Sequence, residues 1–145
     1  MSDYNILDFL KTFGINTKSN FDLYDYGDFL GLKDLVILMN DELDENLENK
    51  CIIVNIQNSD KNGNHWCCIY NKKYYFDSFG INPTKEVERF LDENYVYNSL
   101  QVQPFNTNIC GVLCLYVLYN LFKTSFNKDF EDIILEIYEN LEILF

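Results

Sequence analysis

Residues 65–80 read HWCCIYNKKYYFDSFG, and the fold turns on how that stretch is taken. Two runs rich in aromatic and apolar residues, His65 to Tyr70 and Tyr74 to Phe79, flank the polar Asn71-Lys72-Lys73. That is the pattern of a tight β-hairpin. If Tyr70 pairs with Tyr74 across a three-residue loop, Asp77 falls opposite Cys67, one diagonal step from His65 and on its face. A two-residue loop would shift the register by one and send His65 and Asp77 to opposite faces. The expectation is therefore the longer loop.

Working outward, Cys51 to Ile56 reads as a buried strand, and Asn58 to Asn64 as a turn containing Asn62-Gly63. Downstream, Pro83 is expected to open a helix reaching about Asn94, with Val87, Phe90 and Leu91 facing inward. A fourth strand is expected near Tyr97 to Gln103. Cys110 to Lys123 has almost no polar face, which predicts a helix in the middle of the protein. A last helix carries the stripe Phe126, Phe130, Ile133, Ile134, Ile137, Tyr138 and Leu141. At the other end, Ile6, Leu7, Phe9, Leu10 and Phe13 have helical spacing over Tyr4 to Phe13, closed by Gly14. Ile15 to Phe29 shows no clear period and is read as an ordered loop. Leu30 to Met39 is read as a short helix, with a strand as the alternative. The sum is an α+β fold, a small and mainly antiparallel sheet packed on a central buried helix.

The bulk composition narrows the class. At 145 residues, with 48% hydrophobic and 17% aromatic content, six Gly and two Pro, the chain is read as one globular domain spanning 1–145. Its longest apolar stretch, Ile109 to Leu121, is too short to span a bilayer. The first residues carry acid where a signal peptide needs base, so a reducing, cytosol-like compartment is expected. Five cysteines, two of them adjacent, make a poor disulfide framework. A formal charge of −12 argues against a phosphate-binding surface. The acidic run Asp41 to Glu48 is read as a solvated helix end or loop, the sharper reading being a dock for a basic partner.

Three segments put reactive groups where a core pattern has no need of them. His65 is the only histidine, next to Trp66, the only tryptophan; a neutral imidazole is the usual base for a thiol. Asp77 sits among aromatics at a strand end. Cys110 falls at the first turn of the apolar helix, where the helix N-terminus favours a thiolate; Thr107 or Asn108 is expected to cap that helix. Gly111 leaves room for a substrate backbone beside the sulfur. Gln103, with Gln101 as second candidate, offers an amide donor to an oxyanion. Each residue also has a plainer reading: a structural histidine, a turn-capping aspartate, and two core thiols at Cys110 and Cys114. A zinc site built from Cys110, Cys114, His65 and Cys67 or Cys68 is the sharper rival. Cys67 and Cys68 point to opposite faces of a strand and cannot both hold one ion, so no metal and no cofactor is expected.

The ordered set Gly63-x-His65-Trp66, then Tyr74-Tyr-Phe-Asp77-Ser-Phe-Gly80, then Gln103 and, seven positions on, Cys110-Gly111, resembles the adenovirus maturation protease and its relatives. These are papain-like capsid-maturation proteases of large DNA viruses, virophages and Polinton-type elements, and more distantly the SUMO-specific proteases. Met39-Asn-Asp-Glu-Leu43 and Cys51-Ile-Ile-Val-Asn55 also look like the segment before the His-Trp strand, so the likeness covers about residues 39–122. The resemblance implies His65 as base, Asp77 as its orienting carboxylate, Gln103 as oxyanion donor and Cys110 as nucleophile, with Trp66 shaping the substrate cleft. It further implies a monomeric endopeptidase cutting viral capsid or virion precursors at Gly-containing sites, in host cytoplasm, virus factory and virion. The acidic charge argues against stimulation by DNA. The alternatives are a ubiquitin-like-protein isopeptidase and a catalytically dead binding module of the same fold.

Overall fold

A computed structural model describes residues 4–56, 65–104, 106–123 and 128–144. Among them run helix α1 (Ile6–Phe13), helix α2 (Asn20–Phe29), strand β1 (Val36–Met39), strand β2 (Cys51–Asn55), strand β3 (Trp66–Tyr70) and strand β4 (Tyr74–Phe76). Helix α3 (Lys85–Phe90), strand β5 (Val96–Tyr97), helix α4 (Cys110–Phe122) and helix α5 (Phe130–Leu144) follow. The turn expected at Asn58 to Asn64, and Phe126 of the last helical stripe, lie outside the described residues.

The five strands lie in chain order in one sheet. β2–β3 and β3–β4 are antiparallel, whereas β1–β2 and β4–β5 are parallel. The sheet is thus mixed rather than mainly antiparallel, because each edge strand returns through a helical or irregular connection instead of a hairpin. Within the hairpin, Tyr70 pairs with Tyr74 across Asn71-Lys72-Lys73, the expected three-residue loop. Asn71 and Lys72 both take φ of 55°, the left-handed geometry that closes it.

Both faces of the sheet are covered, which is why β2 and β3 read as unbroken apolar runs. On one face Cys51, Ile53, Trp66, Cys68 and Phe76 join a cluster with α1, α2, α4 and α5. On the other, Ile52, Val54, Cys67, Ile69 and Tyr75 meet Val87, Phe90 and Leu91 of the α3 region. α4 lies at the centre of the larger cluster, buried from Cys110 through Leu121. No described helix is long and apolar enough to cross a membrane.

Several elements depart from the sequence reading. The segment read as a loop holds α2, started by a reciprocal cap in which Ser19 Oγ accepts from the Asp22 N–H and Asp22 accepts from the Ser19 N–H. Leu30 to Met39 yields an edge strand, β1, not a helix. α3 is shorter than expected and begins after Thr84, whose hydroxyl caps Val87 N–H, so Pro83 lies outside the helix. β5 is only two residues long, and Asn98 to Gln103 is irregular. The acidic run begins with a 3-10 turn over Asn40–Glu42 and continues as largely exposed loop.

Candidate active site

β3 and α4 are pinned together at Trp66. The Ile56 N–H bonds the His65 carbonyl, so strand alternation turns the peptide groups of Trp66 away from β2 and toward the β4 side. The last β4 pairing there is Cys68 with Phe76, and Trp66 lies beyond it. Its backbone groups find sulfur instead. The Trp66 N–H donates to Cys110 Sγ at 3.4 Å, and Cys114 Sγ donates to the Trp66 carbonyl at 3.4 Å. Two cysteines one helical turn apart thus bracket one peptide unit.

His65 immediately precedes β3, at the end of the sheet. Its Nε2 lies 2.9 Å from Asp77 Oδ1, Cys67 Sγ lies within 4.8 Å of a ring nitrogen, and Cys110 also acts on the ring's charge. The ring stacks on Phe79, with centroids 4.8 Å apart. Cys110 is 5% exposed, His65 15% and Asp77 1%, so the three meet at a nearly closed surface. Burial disfavours the imidazolium, but its hydrogen bond to Asp77, with Cys110 and Cys67 beside the ring, more than offsets it, raising the His65 pKa from 6.5 to about 12. The shift favours a positively charged ring beside Cys110. Burial pushes Cys67 up to about 12, and raises Cys51 and Cys114 as well.

Asp77 makes both of the contacts that its sequence leaves open. Oδ1 accepts the Phe79 N–H at 2.8 Å, an Asx-type turn, while also meeting His65. Its backbone is clamped by Asn98, whose Oδ1 accepts the Asp77 N–H at 3.0 Å and whose Nδ2 donates to the Asp77 carbonyl at 2.6 Å. Next door, the Ser78 carbonyl accepts from the Val102 and Gln103 N–H groups, and Ser78 Oγ donates to Gln103 Oε1 at 2.5 Å. One corner of chain thus positions both His65 and Gln103. Gly80 closes it at φ 72°, where a Cβ would lie 2.8 Å from the Ser99 carbonyl.

Gln103 is buried, and its Nε2 donates to the Thr107 carbonyl at 2.8 Å. Gln101, the other candidate, spends its amide on the Gln103 carbonyl at 2.8 Å. The two do not alternate along a strand, since this segment is irregular. Neither Thr107 nor Asn108 caps α4. The N-cap position is Ile109 and no side chain of a described residue caps it, while Thr107 Oγ1 turns back to the Pro104 carbonyl.

Trp66 and Gly111 face inward. The Trp66 indole N–H donates to the Lys18 carbonyl at 3.1 Å, making the ring a strut between α4 and the segment before α2. A Cβ on Gly111 would stand 3.1 Å from Leu23, 3.3 Å from Trp66 and 3.5 Å from Lys18. The room that Gly111 leaves is occupied by the protein itself, and any effect of either residue on a cleft runs through this packing.

Asn98, Ser78, Phe79 and Lys18 were not picked out from the sequence. The first three belong to the corner around Asp77, for which the cluster Asp77-Ser78-Phe79-Gly80 was the signal. Lys18 acts through a backbone carbonyl, which carries no residue-type signal. No family model matches the sequence, and no curated protein matches it.

Proposed function

We propose that this chain is a cysteine peptidase in which Cys110 attacks, His65 exchanges the proton and Asp77 orients His65. The observation that carries this reading is the 2.9 Å His65–Asp77 contact, nine-tenths closed from solvent on the Asp77 side, with Cys110 on the same ring. With Nε2 committed to Asp77, Nδ1 is the nitrogen that serves Cys110. A carboxylate fixing the far nitrogen of an imidazole that serves a nucleophile is the general triad arrangement. Cys110 forms a bond to the scissile carbonyl carbon; the oxyanion is received by N–H groups of the first turn of α4 and by the side-chain amide of Gln103. His65 then protonates the leaving amine, and water, activated by the same imidazole, releases the acyl group from sulfur.

The order His65, Asp77, Gln103, Cys110, with Cys110 heading the central buried helix, supports placing this α+β scaffold with the papain-like proteases of adenovirus type. On that reading the substrate is a viral capsid or virion precursor, cut at a Gly-containing site without metal or organic cofactor, and the enzyme works as a monomer in host cytoplasm, virus factory and virion. Labelling separates this from an isopeptidase. A Gly-Gly peptide electrophile should modify Cys110 and leave Cys110→Ala untouched, while a ubiquitin-like vinyl sulfone should not react. The reverse pattern would transfer the reading to the isopeptidase, and no labelling by either would remove the peptidase.

A further inference from the structure

Asp77 carries one oxygen that the proposed reaction does not use. Oδ2 is buried and has no hydrogen-bond partner among the described residues, a state that in native proteins marks strain, catalysis, or a water or ion held at the site. Beside it, on the face of the sheet that meets α3, is Cys67, which the extended hairpin register sets opposite Asp77. Ligand atoms of His65, Cys67 and Asp77 all lie within 4.8 Å of one another. This trio differs from the zinc set weighed on sequence, which needed Cys110 and Cys114 on α4. It draws one cysteine from β3 and a carboxylate from the corner after β4, so the opposed directions of Cys67 and Cys68 present no obstacle.

We propose that His65, Cys67 and Asp77 form a Zn²⁺ site that switches the enzyme off. Imidazole nitrogen, thiolate and carboxylate are the zinc donor types, at about 2.0–2.3 Å from the ion, so ligand atoms of a tetrahedral site stand roughly 3.3–3.8 Å apart. The widest separation in the trio, up to 4.8 Å, needs to close by about an ångström, while His65 Nε2 and Asp77 Oδ1, at 2.9 Å, need to part by a few tenths. Coordination displaces the Cys67 proton and the His65 proton to solvent. It also takes the His65 ring from its hydrogen bond with Asp77, which is how the ion disables the pair. Zinc binding is independent of the peptidase reading; its inhibitory consequence rests on that reading.

The probe is Cd²⁺, whose bond to sulfur gives an ultraviolet charge-transfer band, titrated into the metal-free full chain. Wild type and Cys110→Ala should both show a band saturating at one equivalent. Cys67→Ala should weaken binding by more than about 100-fold, since even partners behind a ligand are worth about 10- to 100-fold. Asp77→Asn, which keeps the side chain's shape, should weaken it too and stands in should Cys67→Ala fail to fold. In wild type, Zn²⁺ should slow alkylation of Cys110, and in Cys67→Ala it should not. A band that survives Cys67→Ala and vanishes in Cys110→Ala would overturn the proposal, because the ion would then sit on the nucleophile alone; so would the lack of any saturable band. The expected band in a chain that no peptide electrophile labels would uphold the metal site and sink only the peptidase reading.

Discussion

The two halves of the site are held by different physics. Around Asp77, hydrogen bonds decide position: Asn98 clamps the backbone, Phe79 N–H and His65 share one carboxylate oxygen, and Ser78 fixes Gln103. Around Cys110, shape decides: α4 has no side-chain cap among the described residues, and its first turn is gripped by Leu23, Trp66 and Lys18 at Gly111. On the proposed reading the difference has a use. Buried hydrogen bonds set a donor or acceptor in one geometry, as an orienting carboxylate requires. Tight packing fixes a helix while leaving its terminal N–H groups to meet a developing charge.

The comparison breaks most visibly at the carboxylate. Asp77→Asn keeps the shape of the corner but removes the charge, and should lower kcat by about 10³- to 10⁴-fold with a modest effect on KM. It should also alter the pH dependence of stability. Folding raises the His65 pKa, so its contribution is complete below 6.5 and is lost as pH rises through about 12. The melting temperature of wild type should fall across that alkaline range, and Asp77→Asn should flatten the fall.

Next comes the link between the two halves. Ser78→Ala leaves the buried Gln103 Oε1 without its hydroxyl donor and should cost about 1–3 kcal/mol in denaturant unfolding. Gly111→Ala tests the packed half: the added methyl presses on Leu23 and the rigid Trp66 ring. It should cost about 1 kcal/mol, and lower activity only as far as Trp66 moves Cys110. A Gly111→Ala enzyme as impaired as Asp77→Asn would show that the packed half is no more tolerant than the hydrogen-bonded one.

What the sequence revealed follows the same division. The hairpin register was legible because Asn71-Lys72-Lys73 leaves few ways to close a turn, and α4 because its apolar residues leave no polar face. α2 was not, since Leu23 and Gly27 are its buried residues while Phe21 and Phe29 face solvent; only the Ser19–Asp22 cap announces it. β1 passed for a helix because all four residues are half-buried at an edge, giving no alternation to read. His65, Asp77 and Cys110 carry chemical identity, and the structure brings them together. The groups that hold them were harder to see: Asn98 acts on a backbone from 21 residues away, and Lys18 acts as a backbone itself.

The central claim is that His65 activates Cys110, and the rate of iodoacetamide alkylation of Cys110 at neutral pH, compared between wild type and His65→Ala, tests it most directly. Removing the ring opens access to Cys110, a residue only 5% exposed, so an effect of access alone would speed the reaction. The activation account predicts the opposite, a slowing of about tenfold or more, because the positive charge favouring the attacking thiolate is gone. An unchanged or faster rate in His65→Ala would contradict it.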